Sequence, residues 1–309
     1  MSQAPGSVHD PKVLDHKTRA LDPLAASLVV LLCLSWGFNQ VAAKLAFADF
    51  PPMSQAGLRS AGAAVLVFAW CLMRGIPLFG RDRTLKPGLL IGLYFGLEFI
   101  LIYQGLVYTT ATRAVLFLYL TPFFVVLGSR IFLPVDRFSR FQWIGLLMSF
   151  TGMIVAFGLP TPALDPRQYI GDIMLVAAAV FWAVTTLTIK TTALAKASAE
   201  KVMLYQLVVS APMMGLAALI AGERIAPQPS WISIGSMLYQ TVWVVSITFV
   251  IWFALVARYS ANRLSAFTFL TPLFGVAAGH FVLGEPITPA FAAAVALVAG
   301  GLVLVNRAS

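Results

Sequence analysis

Ten long apolar runs divide the chain, with limits near 24–47, 54–73, 87–108, 113–133, 141–159, 170–191, 200–221, 231–257, 263–283 and 288–306. Crossing the hydrocarbon layer takes roughly 20 helical residues, and each run is about that long. Between them lie short clusters of charged and turn-forming residues, as at Phe50-Pro51-Pro52, Arg81-Asp82-Arg83 and Gly284-Glu285-Pro286. A chain in lipid must satisfy its own backbone hydrogen bonds, so only helices or a closed barrel can span. Barrel strands alternate apolar and polar residues, and these runs do not. The pattern therefore predicts an all-α integral membrane protein of ten transmembrane helices. Residues 1–23 are polar, mixed in charge and contain Pro5, Pro11 and Pro23, which reads as a cytoplasmic tail with no removable signal peptide.

One stretch occurs twice. Ala111 to Phe124 and Ala261 to Phe274 align at an offset of 150 with seven of fourteen positions identical, among them Arg113/Arg263, Thr121/Thr271 and Pro122/Pro272. Trp36 to Lys44 aligns with Trp182 to Lys190 at an offset of 146. Matches that include Arg, Thr and Pro point to a duplicated half. The halves are 24–159 and 170–306, with five runs each. An odd number of spans makes the second copy enter from the opposite side, so the repeats are expected to be inverted. Inverted repeats place a substrate site near the midplane of secondary transporters.

Composition agrees with a membrane protein. The chain of 309 residues is 60% hydrophobic and 11% charged, with mean hydropathy +0.87; soluble domains carry roughly 25% charged residues. With the N-terminus inside, sixteen Lys and Arg fall on the cytoplasmic side and five on the other, so both termini are expected in the cytoplasm. The +9 net charge is then carried by cytoplasmic loops, and no basic run interleaved with aromatics suggests nucleic acid. Cys33 and Cys71 sit in apolar runs, and the three histidines do not cluster, so neither a disulfide framework nor a metal site is expected.

The ordered set of features resembles the drug/metabolite transporter superfamily, specifically EamA-type exporters. It comprises ten spans, a five-plus-five duplication, a Trp in spans 1 and 6, Ala-x-Arg-Ala…Leu-Thr-Pro in span 4 with its echo in span 9, and Gly284-Glu285 after span 9. The resemblance covers residues 24 to 306 and is strongest to the aromatic amino-acid exporter branch. It implies helices around a central cavity and export of amino acids from the cytoplasm across the inner membrane. One departure stands out. The family often has Gly-Glu after span 4 too, where this chain reads Leu133-Pro134-Val135-Asp136.

Several residues are candidates for that cavity. Trp36, Asn39 and Gln40 share one face of span 1, and Trp182, Thr185 and Thr186 the matching face of span 6. They form a polar cavity wall or, alternatively, interhelical hydrogen bonds. Span 8 adds Tyr239, Trp243 and Ser246, whose rings suit either stacking on an aromatic substrate or ordinary packing. Pro122 and Pro272 lie mid-span and free the carbonyls of Leu118 and Thr268, giving a hinge or a static kink. Lys44 and Lys190 read first as snorkelling side chains, and Arg113 and Arg263 as interfacial anchors.

Glu98 is the deepest acid, about ten residues from either end of span 3. An ionised carboxylate there costs about 2.5–3.5 kcal/mol by insertion scales. Tyr94, one turn earlier, is placed to hydrogen-bond it. Glu98 is expected to carry protons or to pair with a substrate ammonium; a structural hydrogen bond is the alternative.

These residues predict a secondary exporter of amino acids, aromatic and other small neutral ones, working by alternating access. An exporter of aromatic cationic drugs is the runner-up. A membrane-embedded enzyme would need a catalytic cluster within the spans, and none is visible. No nucleotide-binding motif occurs, and no cofactor is expected. The expected partners are small-molecule amino-acid substrates and the lipid bilayer, with a monomer as the working unit.

Overall fold

The structure, a computed structural model, describes residues 21–80, 82–109, 111–133, 138–158, 165–284 and 289–307. Among them the fold is all-α, and ten helices are long and apolar enough to cross a membrane. These spans are Pro23–Ala46, Pro52–Met73, Leu85–Tyr108, Arg113–Phe132, Arg140–Phe157, Gln168–Thr191, Ala199–Ile220, Trp231–Arg258, Ala261–Val282 and Pro289–Asn306. Each matches an apolar run to within a few residues. Most of the expected N-terminal tail, together with Pro134, Val135, Asp136 and Glu285, lies outside the described residues.

Local sequence starts and stops these helices. Asp22 caps span 1 by accepting from the Ala25 N–H at 2.9 Å, and Pro23 follows in the first turn, where its missing donor costs nothing. Ser139 and Gln142 form a reciprocal capping box at span 5. Ser198 and Ser230 cap spans 7 and 8, their hydroxyls accepting from the Lys201 and Ser233 N–H groups. Span 9 ends on Gly284 at φ 69°, a left-handed conformation that favours glycine. That gives the glycine of the expected Gly-Glu turn a capping role.

Spans 4 and 9 are each broken. Span 4 consists of Ala111–Leu118 and Thr121–Phe132, and span 9 of Ala261–Phe267 and Leu270–Leu283. In both, the break falls just before the Thr-Pro pair, and the proline opens the second segment. The carbonyl that Pro122 frees does not stay bare, because the Thr121 hydroxyl donates to Leu118 O at 2.7 Å. In span 9 the Thr271 N–H reaches Thr268 O at 2.9 Å. Span 8 has an irregularity that no feature of its sequence announced. Tyr239–Thr248 is π-helical between two α-helical ends, so the Ser246 hydroxyl donates five residues back, to Thr241 O at 2.7 Å. π segments concentrate at functional sites.

Packing is close where glycines meet. A Cβ on Gly37 of span 1 would lie 2.7 Å from the Gly275 nitrogen of span 9, and one on Gly57 of span 2 would lie 3.3 Å from the Gly215 nitrogen of span 7. Gly145 and Gly301 cross similarly between spans 5 and 10. Small residues at such crossings let backbones approach, which is how helices associate in lipid. The contacts come in matched sets. Span 1 packs on 9 as 6 packs on 4; span 3 packs on 6 as 8 packs on 1; span 3 packs on 7 as 8 packs on 2. Spans 2 and 7, and spans 5 and 10, pack on each other.

Candidate substrate site

The site grows outward from Trp36. Its indole N–H donates to Thr248 Oγ1 at 2.9 Å, and its ring meets Phe249 at 5.4 Å and Trp252 at 5.3 Å. Thr248 occupies the span 8 position that corresponds to Glu98 in span 3. From Phe249 the contact passes to Phe95 at 6.1 Å and on to Phe99 at 4.8 Å. Ring contacts thus form a continuous band from span 1 across span 8 to span 3.

The band ends on two opposite charges. The Arg59 guanidinium of span 2 lies over the Phe99 ring at 4.6 Å, a cation–π contact. Glu98, next to Phe99 in sequence, interacts electrostatically with Arg59. Both are buried, at 3% and 6% exposure. They do not close into an ion pair, and among the described residues nothing hydrogen-bonds the Glu98 carboxylate. The expected Tyr94–Glu98 bond is not formed; Tyr94 packs its ring on Phe181 at 5.6 Å instead. Arg59 Nε and Nη2 are buried with no hydrogen-bond partner.

The other candidates divide into groups. Trp182, half-buried, follows Phe181 on span 6, and its carbonyl accepts from the Thr186 hydroxyl at 3.1 Å. Thr185 is buried with its hydroxyl unpartnered, and so is Asn39 Oδ1. Gln40 is exposed, near Gly275 of span 9. Tyr239 and Trp243 both reach Ser35 of span 1, the phenol bonding its carbonyl and the indole its hydroxyl, each at 3.0 Å. No described ring contact or hydrogen bond joins them to Tyr94 or Trp182. Gln240 beside them is fully buried, with both amide atoms unpartnered.

Polar contacts also join the spans near their ends. At one end Arg113 grips Asp172 through Nε to Oδ1 at 3.1 Å and through Nη2 to Oδ2, while the Thr109 hydroxyl donates to Oδ1 at 2.8 Å. At the other the Tyr259 hydroxyl donates to Asp22 Oδ2 at 2.6 Å, Lys190 Nζ donates to Tyr259 O, and Arg263 donates to Asn306 O at 3.1 Å. Thr109 and Tyr259, Arg113 and Arg263, and Asp22 and Asp172 are each 150 residues apart. This corrects the interfacial reading of Arg113, Arg263 and Lys190, all of which are buried at 6% exposure or less. Lys190 bonds the carbonyl at the end of span 8, where the helix dipole favours a cation. Lys44 is exposed.

Sequence reasoning missed Arg59, which stood among the five basic residues of the outer side. The available signal was its position, seven residues inside span 2. It also missed Asp172, whose placement two residues into the expected run disguised it as a loop acid.

Comparison with known proteins gives one consistent picture. The EamA-like transporter family matches residues 23–158 and again 169–307. A probable amino-acid metabolite efflux pump of Salmonella typhimurium is 27% identical over 290 residues, covering 89% of this chain and 92% of that protein. An uncharacterized transporter of Bacillus subtilis is 28% identical over 292 residues, covering 92% of each chain. An uncharacterized inner membrane transporter of Escherichia coli K12 is 22% identical, covering 93% and 92%. A crystal structure superposes with a TM-score of 0.78 at 22% identity, covering 92% of this chain and 96% of that one, a likeness of fold.

Proposed function

Because the chain belongs to the EamA-like transporter family, we propose that it exports amino acids, aromatic and other small neutral ones, from the cytoplasm by alternating access. The observation that carries this reading is the band of rings from Trp36 to Phe99 that ends on Glu98. Aromatic faces bind the apolar part of such a substrate, and a carboxylate binds its ammonium. The Salmonella relative supports the substrate class by its name alone.

Both termini face the cytoplasm in this reading, and the halves are inverted copies. The matched packing of spans n and n+5 supports the second point. The paired end contacts then act as alternate closures, Thr109–Arg113–Asp172 on the outer side and Asp22–Tyr259 on the inner. Opening one while the other stays shut is what alternating access requires.

Glu98 and the same rings also suit the runner-up, export of aromatic cations. Counterflow in proteoliposomes with labelled tryptophan, alanine and a quaternary ammonium compound, with and without a pH gradient, separates the readings. Tryptophan exchange that the quaternary compound does not inhibit supports the amino-acid exporter. Exchange of the cation alone supports the drug exporter.

A further inference from the structure

The Arg59 guanidinium is 3% exposed, and its Nε and Nη2 are enclosed without any acceptor. Buried polar groups in native proteins are almost always hydrogen-bonded, and an unpaired buried charge is the most costly exception. Glu98, the acid that interacts with it electrostatically, offers no relief, since the two do not close into an ion pair. The separation is built in. Phe99 lies under the guanidinium and holds it by its face, so the edge that carries the N–H fork is left for another partner. Gln55, one turn from Arg59, and Ser60, its neighbour, also keep an oxygen unpartnered. Elsewhere the chain does pair its buried arginine, since Arg113 has both carboxylate oxygens of Asp172. Arg59 therefore departs from this protein's own practice.

We propose that Arg59 binds the carboxylate of the transported molecule while Glu98 binds its ammonium, so that the substrate class is the zwitterionic α-amino acid. This rests on the amino-acid reading above and deepens it. A guanidinium fork matches a carboxylate by two parallel hydrogen bonds. The two charged side chains sum to zero, as does the substrate, so loading the site brings no net charge into the low-dielectric interior. Phe95 and Phe99, in contact at 4.8 Å, supply apolar ring surface beside the two charges. A simple cation would meet Arg59 unscreened, and a simple anion would meet Glu98.

The test uses the full chain in proteoliposomes and four probes of one shape: phenylalanine, phenylalaninamide, phenethylamine and 3-phenylpropionate. Wild-type protein is expected to exchange phenylalanine and to reject the other three by about 30-fold or more, the lower end for stripping one partner from a buried charge pair. Arg59→Gln should lose phenylalanine exchange by a similar factor while gaining on phenylalaninamide. Glu98→Gln should lose phenylalanine while gaining on 3-phenylpropionate. Should Arg59→Gln not fold, as judged by size-exclusion profile and melting temperature, Arg59→Lys keeps the charge without the fork and should raise the half-saturating phenylalanine concentration. Wild-type protein that carries phenylalanine and phenylalaninamide equally well overturns the role of Arg59 and leaves the amino-acid reading standing. Wild-type protein that carries phenethylamine or a quaternary ammonium but no amino acid overturns both.

Discussion

Arg113 of span 4 and Asp172 of span 6 meet 59 residues apart in a two-pronged ion pair, with both side chains less than a tenth exposed. Thr109 closes the third side of the carboxylate. The geometry is favourable because the acid sits in the opening turns of span 6, where the helix dipole favours a negative charge. A pair this buried is held by complete hydrogen bonding, since its Coulomb attraction is largely offset by desolvation.

Removing one partner should therefore hurt more than removing both. Asp172→Asn leaves the guanidinium half-paired and should destabilise the fold by about 3–5 kcal/mol, the range for breaking a buried pair. The double change Arg113→Leu with Asp172→Leu should restore much of that loss. Melting temperatures of the three proteins in detergent check this. Equal losses for the single and double variants would show that the pair contributes through packing alone. If the pair closes its end in the transport cycle, the restored double variant should still be slow in transport.

Two acids outside the spans, Asp82 and Asp49, respond to pH in a known sense. Lys201, donating at 2.7 Å, and then Thr84 hold the Asp82 carboxyl well below the usual carboxylate range. The Ser233 hydroxyl and then Ser230 lower that of Asp49. A group depressed in the folded state stabilises above its unfolded pKa, about 3.9, and that stability is lost as pH falls through the folded value. Asp82→Asn should thus lower the melting temperature at pH 7 and leave the most acid conditions unchanged. A melting-temperature series from pH 2.5 to pH 8 checks the sign. A variant as stable as wild type at pH 7 would remove the Asp82–Lys201 contact from the account.

How legible was this fold? The ten spans and the Thr-Pro breaks follow from local signals, namely apolar length, caps and a proline with no donor. Trp36 and Glu98 were visible as polar or aromatic groups too deep to be interfacial. What stayed hidden depends on which spans touch. Arg59 reads as a loop-side cation until span 2 is packed beside span 3 and its guanidinium is seen on Phe99. Glu223 sits in a connecting loop, yet it accepts the Met53 and Ser54 N–H groups and so caps a helix 170 residues earlier in the chain. The π-helical stretch of span 8 has no composition that separates it from an ordinary helix. It packs on spans 1 and 2.

The two proline breaks are not equally tied. Thr121 donates to Leu118 O at 2.7 Å and lies 3.4 Å from Ala179 O, so its hydroxyl holds the span 4 break independently of Pro122. The Thr271 hydroxyl makes no such bond to the Thr268 carbonyl, which the Thr271 N–H reaches instead. Pro122→Ala should therefore leave the break in place, while Pro272→Ala should let the span 9 helix close through. Alanine supplies the N–H that proline lacks and costs the opening turn nothing, so Pro272→Ala should melt at an equal or higher temperature. If the break is a hinge, exchange should slow in Pro272→Ala much more than in Pro122→Ala, with a tenfold drop corresponding to about 1.4 kcal/mol of barrier. Unchanged exchange in both would make the breaks static kinks.

If transport follows protons, Glu98 is the expected carrier. It is buried mid-span, no described donor holds it, and the one charge coupled to it is Arg59. A structural carboxyl at that depth would be expected to donate or accept a hydrogen bond, because an unsatisfied polar group in hydrocarbon costs several kcal/mol. Its readiness to take a partner is the argument for function. Neither Asp49 nor Asp82 can supply a pH dependence near neutrality, since both are held below the ordinary carboxylate range. With transport measured from about pH 5 to pH 8, a bend in the rate that vanishes in Glu98→Gln belongs to Glu98. The expected outcome is a slow, pH-independent variant with an unchanged melting temperature, measured by exchange in proteoliposomes over that range. Glu98→Asp keeps the charge and shortens the reach by one methylene, so it should keep the bend while weakening substrate binding. A Gln variant that runs at wild-type speed with the same pH profile would make Glu98 a packing residue, and its nearness to Arg59 would then serve only to balance a buried charge.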